Sequence, residues 1–332
     1  MLLVSRKVPY TRLYTVPKNI ILHLEEKGLV IEDKGKAEKT LQNINYYRFK
    51  IYLRPFLNTS LGKFNNKASF EKAYQLYRFD DELRSILFSL IGRIEVKIRT
   101  RLDQTITGHT SNPFWYLDSK NFSTNATDHR PAFNEKFTKS TDDFVKHYKK
   151  NYKSPNDISV FHQNMPPFWI MAELTTFGDI VSLFSSLDKD LFSTGKYTNK
   201  LDTLAQEFGA SSLDIFNSWL ESLRETRNRC AHHSRVWNRN CFEAKGIQGK
   251  RSKFNLNLPS ESEERADNPT LGRRNKFYSA LFVIYQVSKN LDIDRNIKDE
   301  FLELLEKHPE MKKHIHFAGF PSDWQSLKAW NK

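Results

Sequence analysis

Cysteine is nearly absent from this chain. Its 332 residues hold two, Cys230 and Cys241, too few for a disulfide framework, which predicts a reducing, cytoplasmic setting. Long apolar runs are missing as well. Stretches such as Ala280 to Tyr285 fall far short of the roughly 20 residues that a membrane-spanning helix needs. Met1 to Val4, followed by Arg6 and Lys7, is too short for the core of a signal peptide, so neither secretion nor membrane insertion is expected. Internal repeats are lacking. So is the ligand spacing of a zinc or magnesium site: two adjacent histidines and one nearby cysteine have no carboxylate company, and no metal or other cofactor is expected.

Positive charge is plentiful. Lys and Arg number 52 against 39 Asp and Glu, a formal net charge of +13, and 13% of residues are aromatic. Cations neutralise phosphates and rings stack on unpaired bases, so the combination suits single-stranded nucleic acid. Charge alone also serves solubility. With 39% hydrophobic residues the chain can bury one large core or two modest ones.

The hydrophobic pattern is helical throughout. Residues 1–73 read as a small helical lobe. Pro17 opens a helix carrying Ile20, Ile21 and Leu24, Gly28 caps it, and Leu29 to Ile31 is an extended link. A second helix spans Lys34 to Ile44. The next run interleaves Tyr46, Tyr47, Arg48, Lys50 and Arg54 before Pro55. It fits either an RNA-facing surface or a helix whose rings pack inward while its cations snorkel. From Tyr74 to Thr107, Leu83, Leu87, Leu90, Ile94, Ile98 and Leu102 recur every three or four residues, predicting a long amphipathic helix with Arg93, Lys97 and Arg101 on another face. Glu95 and Arg99 make an i,i+4 pair on it.

The helical core is expected over 74–300, interrupted by a polar insertion at 108–167, with short helices from Pro131 to Tyr152, and by a basic loop at 242–274 that includes Lys250 and Arg251. A helix after Pro166-Pro167 runs through Phe168, Trp169, Met171, Leu174 and Phe177, bends or breaks at Gly178, and resumes from Ile180 to Leu187. Another begins near Ser212, carries Phe216, Trp219, Leu220, Leu223 and Cys230, and is expected to reach about Trp237. Lys276 to Leu291 forms a further core helix. Residues 301–332 add a C-terminal extension.

Chemistry concentrates in Arg224-Glu225-Thr226-Arg227-Asn228-Arg229-Cys230-Ala231-His232-His233-Ser234-Arg235-Val236-Trp237-Asn238-Arg239. Arg227 follows Leu223 by one turn and so lies at the edge of the apolar stripe, where a guanidinium needs an anion. Arg224, Asn228, His232 and Arg235 form a second stripe, on which Asn228 is expected to orient the His232 ring. Arg227 and His232 stand roughly 140° apart around one helix and ~7.5 Å along it. Two copies meeting about a two-fold axis would bring both pairs into one cleft, and a homodimer is expected. Such a set suits RNA cleavage. A ribose 2′-OH is an internal nucleophile, a histidine can carry its proton, and an arginine can hold charge on the phosphorane.

Arg227-Asn228 with His232 resembles the Rx4–6H signature of HEPN ribonucleases, and the longer string is similar to the Abi family of phage-defence proteins, AbiD/AbiF-like. Further landmarks follow in family order: Gly28-Leu29, Ile44-Asn45-Tyr46-Tyr47-Arg48, Arg78-Phe79-Asp80 leading into Ile94-Glu95-Val96, Trp169 to Gly178, and Gly319-Phe320-Pro321 before Trp324. The resemblance implies an all-α HEPN-type bundle and a metal-independent endoribonuclease leaving 2′,3′-cyclic phosphates. It also implies a role in abortive infection or toxin–antitoxin-like control, and a small structured RNA as partner, for which the basic N-terminal lobe is a sensible dock. His233 also satisfies the permitted spacing from Arg227, and His232 is favoured because it shares a face with Asn228. Glu95 and Glu173 are each placed to pair with Arg227, or to make ordinary salt bridges. Two other readings stand beside the enzyme: an RNA-binding scaffold or sensor with a degenerate site, and a DNA-binding regulator.

Overall fold

The computed structural model describes residues 9–11, 13–154, 164–249, 252–259 and 272–331. Its elements in chain order are α1 (Pro17–Glu26), α2 (Lys34–Asn43), α3 (Tyr46–Leu53), β1 (Leu57–Asn58), β2 (Lys63–Phe64), α4 (Phe70–Thr110), α5 (Arg130–Lys139), α6 (Asp143–Asn151), α7 (Phe168–Leu174), α8 (Phe177–Ser185), β3 (Ser193–Gly195), β4 (Thr198–Asn199), α9 (Lys200–Glu207), α10 (Leu213–Ala231), α11 (Phe277–Asn290), α12 (Ile297–Lys307) and α13 (Pro309–His314). The fold is all-α, with two small antiparallel hairpins, β1–β2 and β3–β4. No helix among the described residues is long and apolar enough to cross a membrane.

Contacts divide the chain into two units, one of residues 1–79 with 308–314, the other of 80–307 with 315–332. In the first, α1 packs on α2. The extended link is a short parallel bridge, Val30 pairing with Ser69. On α3, Phe49, Tyr52 and Leu53 are buried and meet the start of α4, with the Phe49 and Phe70 rings 4.6 Å apart and Tyr52 edge-on to Tyr77. The two readings of the ring-and-cation run therefore divide by residue. Phe49 and Tyr52 build the core, whereas Tyr47 is 72% exposed with the Lys50 ammonium 3.9 Å from its ring centre.

In the second unit the predicted face of α4 is buried at every position from Leu83 to Leu102, each side chain contributing on the order of 1.5–3 kcal/mol. Helix α11 is buried almost all round, the pattern of a helix enclosed by others. Against it packs α10, which also touches α8 and α9; the chemistry-bearing helix is thus the hub of this unit.

Helix α4 extends the expected span by about a turn at each end, and two boundaries differ from the sequence expectation for identifiable reasons. Helices α7 and α8 are separated at Thr175-Thr176 rather than bent at Gly178, because the Thr176 side chain accepts from the Asp179 N–H while Asp179 accepts from the Thr176 N–H, a complete capping box. Helix α10 ends at Ala231, short of the expected Trp237. Lys250 and Arg251 lie outside the described residues.

Candidate active site

Helix α10 starts on Ser212, whose hydroxyl accepts from the Ile215 N–H, and buries Phe216, Trp219, Leu220, Leu223, Thr226 and Cys230. Burial pushes the Cys230 thiol up to about 12, with Asp80 adding to the effect and Arg84 opposing it, so it stays a neutral packing group. The helix closes with His232 at the cap. The Ser234 N–H reaches back to the Arg229 carbonyl at 2.8 Å and the His233 N–H to that of Cys230 at 3.0 Å, the paired bonds of a Schellman ending. His233 sits at its left-handed position, φ +51°. The endings of α1 and α9 have the same bonds but use Gly28 and Gly209 there.

Beyond the cap the chain is captured by α4. The buried Asp80 carboxylate accepts from the N–H groups of Val236 at 3.1 Å and Trp237 at 2.9 Å, and pairs with the buried Arg84 at 2.7 Å. Those two N–H groups would otherwise have bonded along a longer helix, so Asp80 accounts for the early stop. Arg235 consequently lies off the helix, and the stripe of Arg224, Asn228 and His232 ends without it.

Arg227 is held loosely. Its Nε stands 3.4 Å from Glu95 Oε2, its side chain is 30% exposed, its Nη1 is 3.4 Å from Asn228 Oδ1, and its guanidinium lies 5.8 Å from the centre of the Phe88 ring. These distances exceed the usual range of a strong hydrogen bond. Glu95, itself buried, is claimed more tightly by Arg99 at 2.5 Å, and Arg99 also donates to the Thr175 carbonyl at 2.8 Å. One carboxylate thus serves two guanidinium groups, and the cluster keeps a net positive charge.

The neighbouring arginines are spent on structure. Arg224 donates to Glu221 at 2.8 Å and lies against Gly178 of α8. Arg229 bonds Glu225 and the Asn240 carbonyl at 2.8 Å, while Glu225 accepts from the Phe242 N–H, a clamp on the segment that follows the motif. His232 is exposed, and among the described residues its ring makes no hydrogen bond. Asn228 does not orient that ring, since its carbonyl oxygen faces Arg227; the link between Asn228 and His232 is a backbone bond of 2.9 Å. His233 is also exposed.

The remaining positions fall as follows. Glu173 is exposed on α7, and among the described residues it forms no ion pair with Arg227. Arg93 is exposed, Lys97 donates to the Leu291 carbonyl, and Arg101 is paired with Glu207. In the first unit, Tyr46 and Arg48 are half-buried and Arg54 is exposed. Asp80, Phe88 and the Glu225–Arg229 clamp were not legible as site parts. Asp80 did stand in a family landmark, the one signal that pointed to it. No three His, Cys, Asp or Glu side chains among the described residues come together in a way that could hold a metal ion.

A model of the Abi-like protein family matches residues 39–238, more than half of the chain, from the end of α2 through the motif. The chain belongs to the Abi-like protein family. The matched stretch includes Asp80, Glu95, Arg227 and His232, so in this Abi-like protein the capture of the post-motif segment and the arginine cluster lie inside the family's shared part. No curated protein and no solved structure matches the chain.

Proposed function

We propose that this Abi-like protein is a metal-independent endoribonuclease of HEPN type, AbiD/AbiF-like, acting in the cytoplasm in abortive infection or a toxin–antitoxin-like phage defence. One observation carries the reading. Arg227 is held only at 3.4 Å by Glu95 and the exposed His232 ring makes no hydrogen bond among the described residues, while Arg224 and Arg229 are engaged at short range. In the reaction, the ribose 2′-OH attacks the adjacent phosphorus, an imidazole takes the hydroxyl proton, and an arginine holds the charge on the non-bridging oxygens. The 5′-oxygen leaves with a proton from a second imidazole, giving a 2′,3′-cyclic phosphate and a 5′-hydroxyl. The second imidazole is proposed to come from a second copy, and an apolar stripe supports the association: Phe88, Gly92 and Val96 follow at four-residue steps on α4, with Phe88 45% and Val96 62% exposed. A small structured RNA is the proposed regulator, docking through Tyr47 and Lys50 on α3 and Arg54 at its cap.

The test is cleavage of RNA by purified protein with detection of cyclic-phosphate ends. Arg227→Ala and His232→Ala are each expected to lower cleavage by at least 100-fold, in the range of a lost acid–base group, with the helical circular dichroism unchanged. Cleavage retained by both variants would overturn the reading. The Glu95 contact favours a second one, in which Arg227 is structural and the protein is an RNA-binding scaffold. That reading requires RNA binding to survive His232→Ala with no cyclic-phosphate product from any variant.

A further inference from the structure

A cavity of about 270 Å³ opens in the second unit, where the segment before α5 folds over α8. Tyr116 and Phe122 supply rings, and Ser119, Thr127, His129 and Arg130 supply polar groups. The Tyr116 hydroxyl is already donated to the Pro166 carbonyl at 2.7 Å and its ring is buried against Phe133 and Phe168, so it forms the floor and the half-buried Phe122 ring is what remains for stacking. The only cation among these residues is neutralised: Arg130 is bidentate to Asp128 at 2.7 and 2.9 Å. That disfavours a bare anion. His129 stacks on Phe133, with its Nε2 3.5 Å from the hydroxyls of both Ser182 and Ser186. Burial lowers its pKa, against opposing effects from Asp179 and Asp128, which leaves a neutral imidazole with one donor and one acceptor. Rings, hydroxyls and an uncharged imidazole suit a planar, neutral ligand with a hydrogen-bonding edge. The volume lies just below the range of about 300–1,000 Å³ for drug-sized ligands, the scale of a single nucleobase.

The walls are fastened before any ligand arrives. The Asp188 N–H donates to the Asn121 carbonyl and the Ser123 N–H to that of Ser186, both at 3.0 Å, and the Asn121 amide donates to the Trp115 carbonyl at 2.8 Å. Position relates the cavity to the motif. Gly178, Ser182 and Ser186 are four residues apart and so share one face of the α8 chain segment. Gly178 meets the Arg224 side chain of α10, and the two serines meet His129. The motif helix and the cavity therefore flank one stripe, one to two turns or roughly 5–11 Å apart.

We propose that this cavity is a specificity subsite that takes one unpaired nucleobase of the RNA strand whose backbone passes along Arg227. The proposal rests on the RNA reading above, and its test reads binding without cleavage so that the two can fail separately. Full-length protein is titrated calorimetrically with AMP, GMP, CMP and UMP, and with ribose 5-phosphate as the control that lacks a base. At least one nucleotide is expected to bind tenfold or more tightly than ribose 5-phosphate. Phe122→Ala is expected to weaken that binding roughly tenfold, the scale of one lost base–ring stack. Thr127→Trp, at an exposed position on the rim, is expected to abolish it by filling the space, with the melting temperature unchanged. Equal binding of all five compounds, or nucleotide binding indifferent to both substitutions, overturns the proposal. Nucleotide binding that meets these expectations in a protein that never cuts RNA upholds the pocket and removes the nuclease.

Discussion

A guanidinium in short contact with a carboxylate is already neutralised, and a phosphate must displace the partner to use it. Arg227 avoids this because Glu95 is shared with Arg99, which holds it at 2.5 Å while Arg227 stays at 3.4 Å. Glu95 then acts as a positioning residue: it aligns the Arg227 side chain through Nε without occupying its terminal nitrogens. Glu95→Gln removes the charge and keeps the shape. Cleavage is expected to fall by about tenfold, the equivalent of ~1.4 kcal/mol of alignment, chiefly in kcat, with the pH profile unmoved because the acid–base group is untouched. A fall confined to thermal stability would mark the contact as structural only. His233 poses a different question, since it occupies a left-handed position that glycine fills in α1 and α9. A β-branched residue is least able to adopt that backbone. His233→Val is expected to destabilise the protein by about 1–3 kcal/mol in urea unfolding, whereas His233→Gly should leave stability nearly unchanged, as relief of strain offsets the added freedom of the unfolded chain. If His233→Gly also keeps cleavage, His232 is the acid–base group.

Helix α10 shows which elements could be read from sequence and which could not. Its start was legible because Ser212 is a capping residue followed by apolar positions at helical spacing. Its end was not: periodicity continues through Val236 and Trp237, and only a carboxylate from Asp80, far away in the chain, diverts their N–H groups. The same limitation hid α9 and the β3–β4 hairpin, which are too short for a period to emerge, and the capping box at Thr176, whose signal was outweighed by the glycine two positions on. The long faces of α4 and α11 were legible because burial imposes their pattern over many turns. The candidate pair, Arg227 and His232, was legible as a motif; that Glu95 rather than Glu173 reaches Arg227 was not, because it depends on how α4 and α7 pack. Asp80 therefore carries a prediction at this scale. Asp80→Asn leaves the buried Arg84 without the Asp80 counter-charge and, with Oδ1 kept as acceptor for the two N–H groups, sets an amide donor against the guanidinium. A loss of roughly 3–5 kcal/mol is expected, seen as a lower urea midpoint. The segment from Val236 to Phe242 should become accessible to protease before the rest of the second unit, and an unchanged midpoint would show that the backbone capture is incidental.

For the whole molecule, the proposed two-histidine reaction asks for a second copy: Arg227 lies on α10 and His232 at its cap, and one chain would supply half of the reacting groups. The place where a second copy would complete it is marked by Gly92. A glycine inside a long helix costs about 0.5–1 kcal/mol relative to alanine, and among the described residues a Cβ built on it meets nothing within 4 Å, so packing against them does not require it. Its neighbours at four-residue steps, Phe88 and Val96, are exposed apolar side chains, and Phe88 lies beside the Arg227 guanidinium. A small residue flanked by exposed apolar ones next to Arg227 fits close approach of another α4 about a two-fold axis. Two substitutions separate this account from simple helix chemistry. Gly92→Leu should raise the melting temperature of the monomer through helix propensity alone, yet block the approach of a second copy. Sedimentation velocity across a range of concentrations is expected to show a dimer for the natural sequence and a monomer for Gly92→Leu and Phe88→Glu, with cleavage lost in parallel. A Gly92→Leu protein that stays dimeric and active would place the second imidazole elsewhere: on His233 of the same chain, or across a different face.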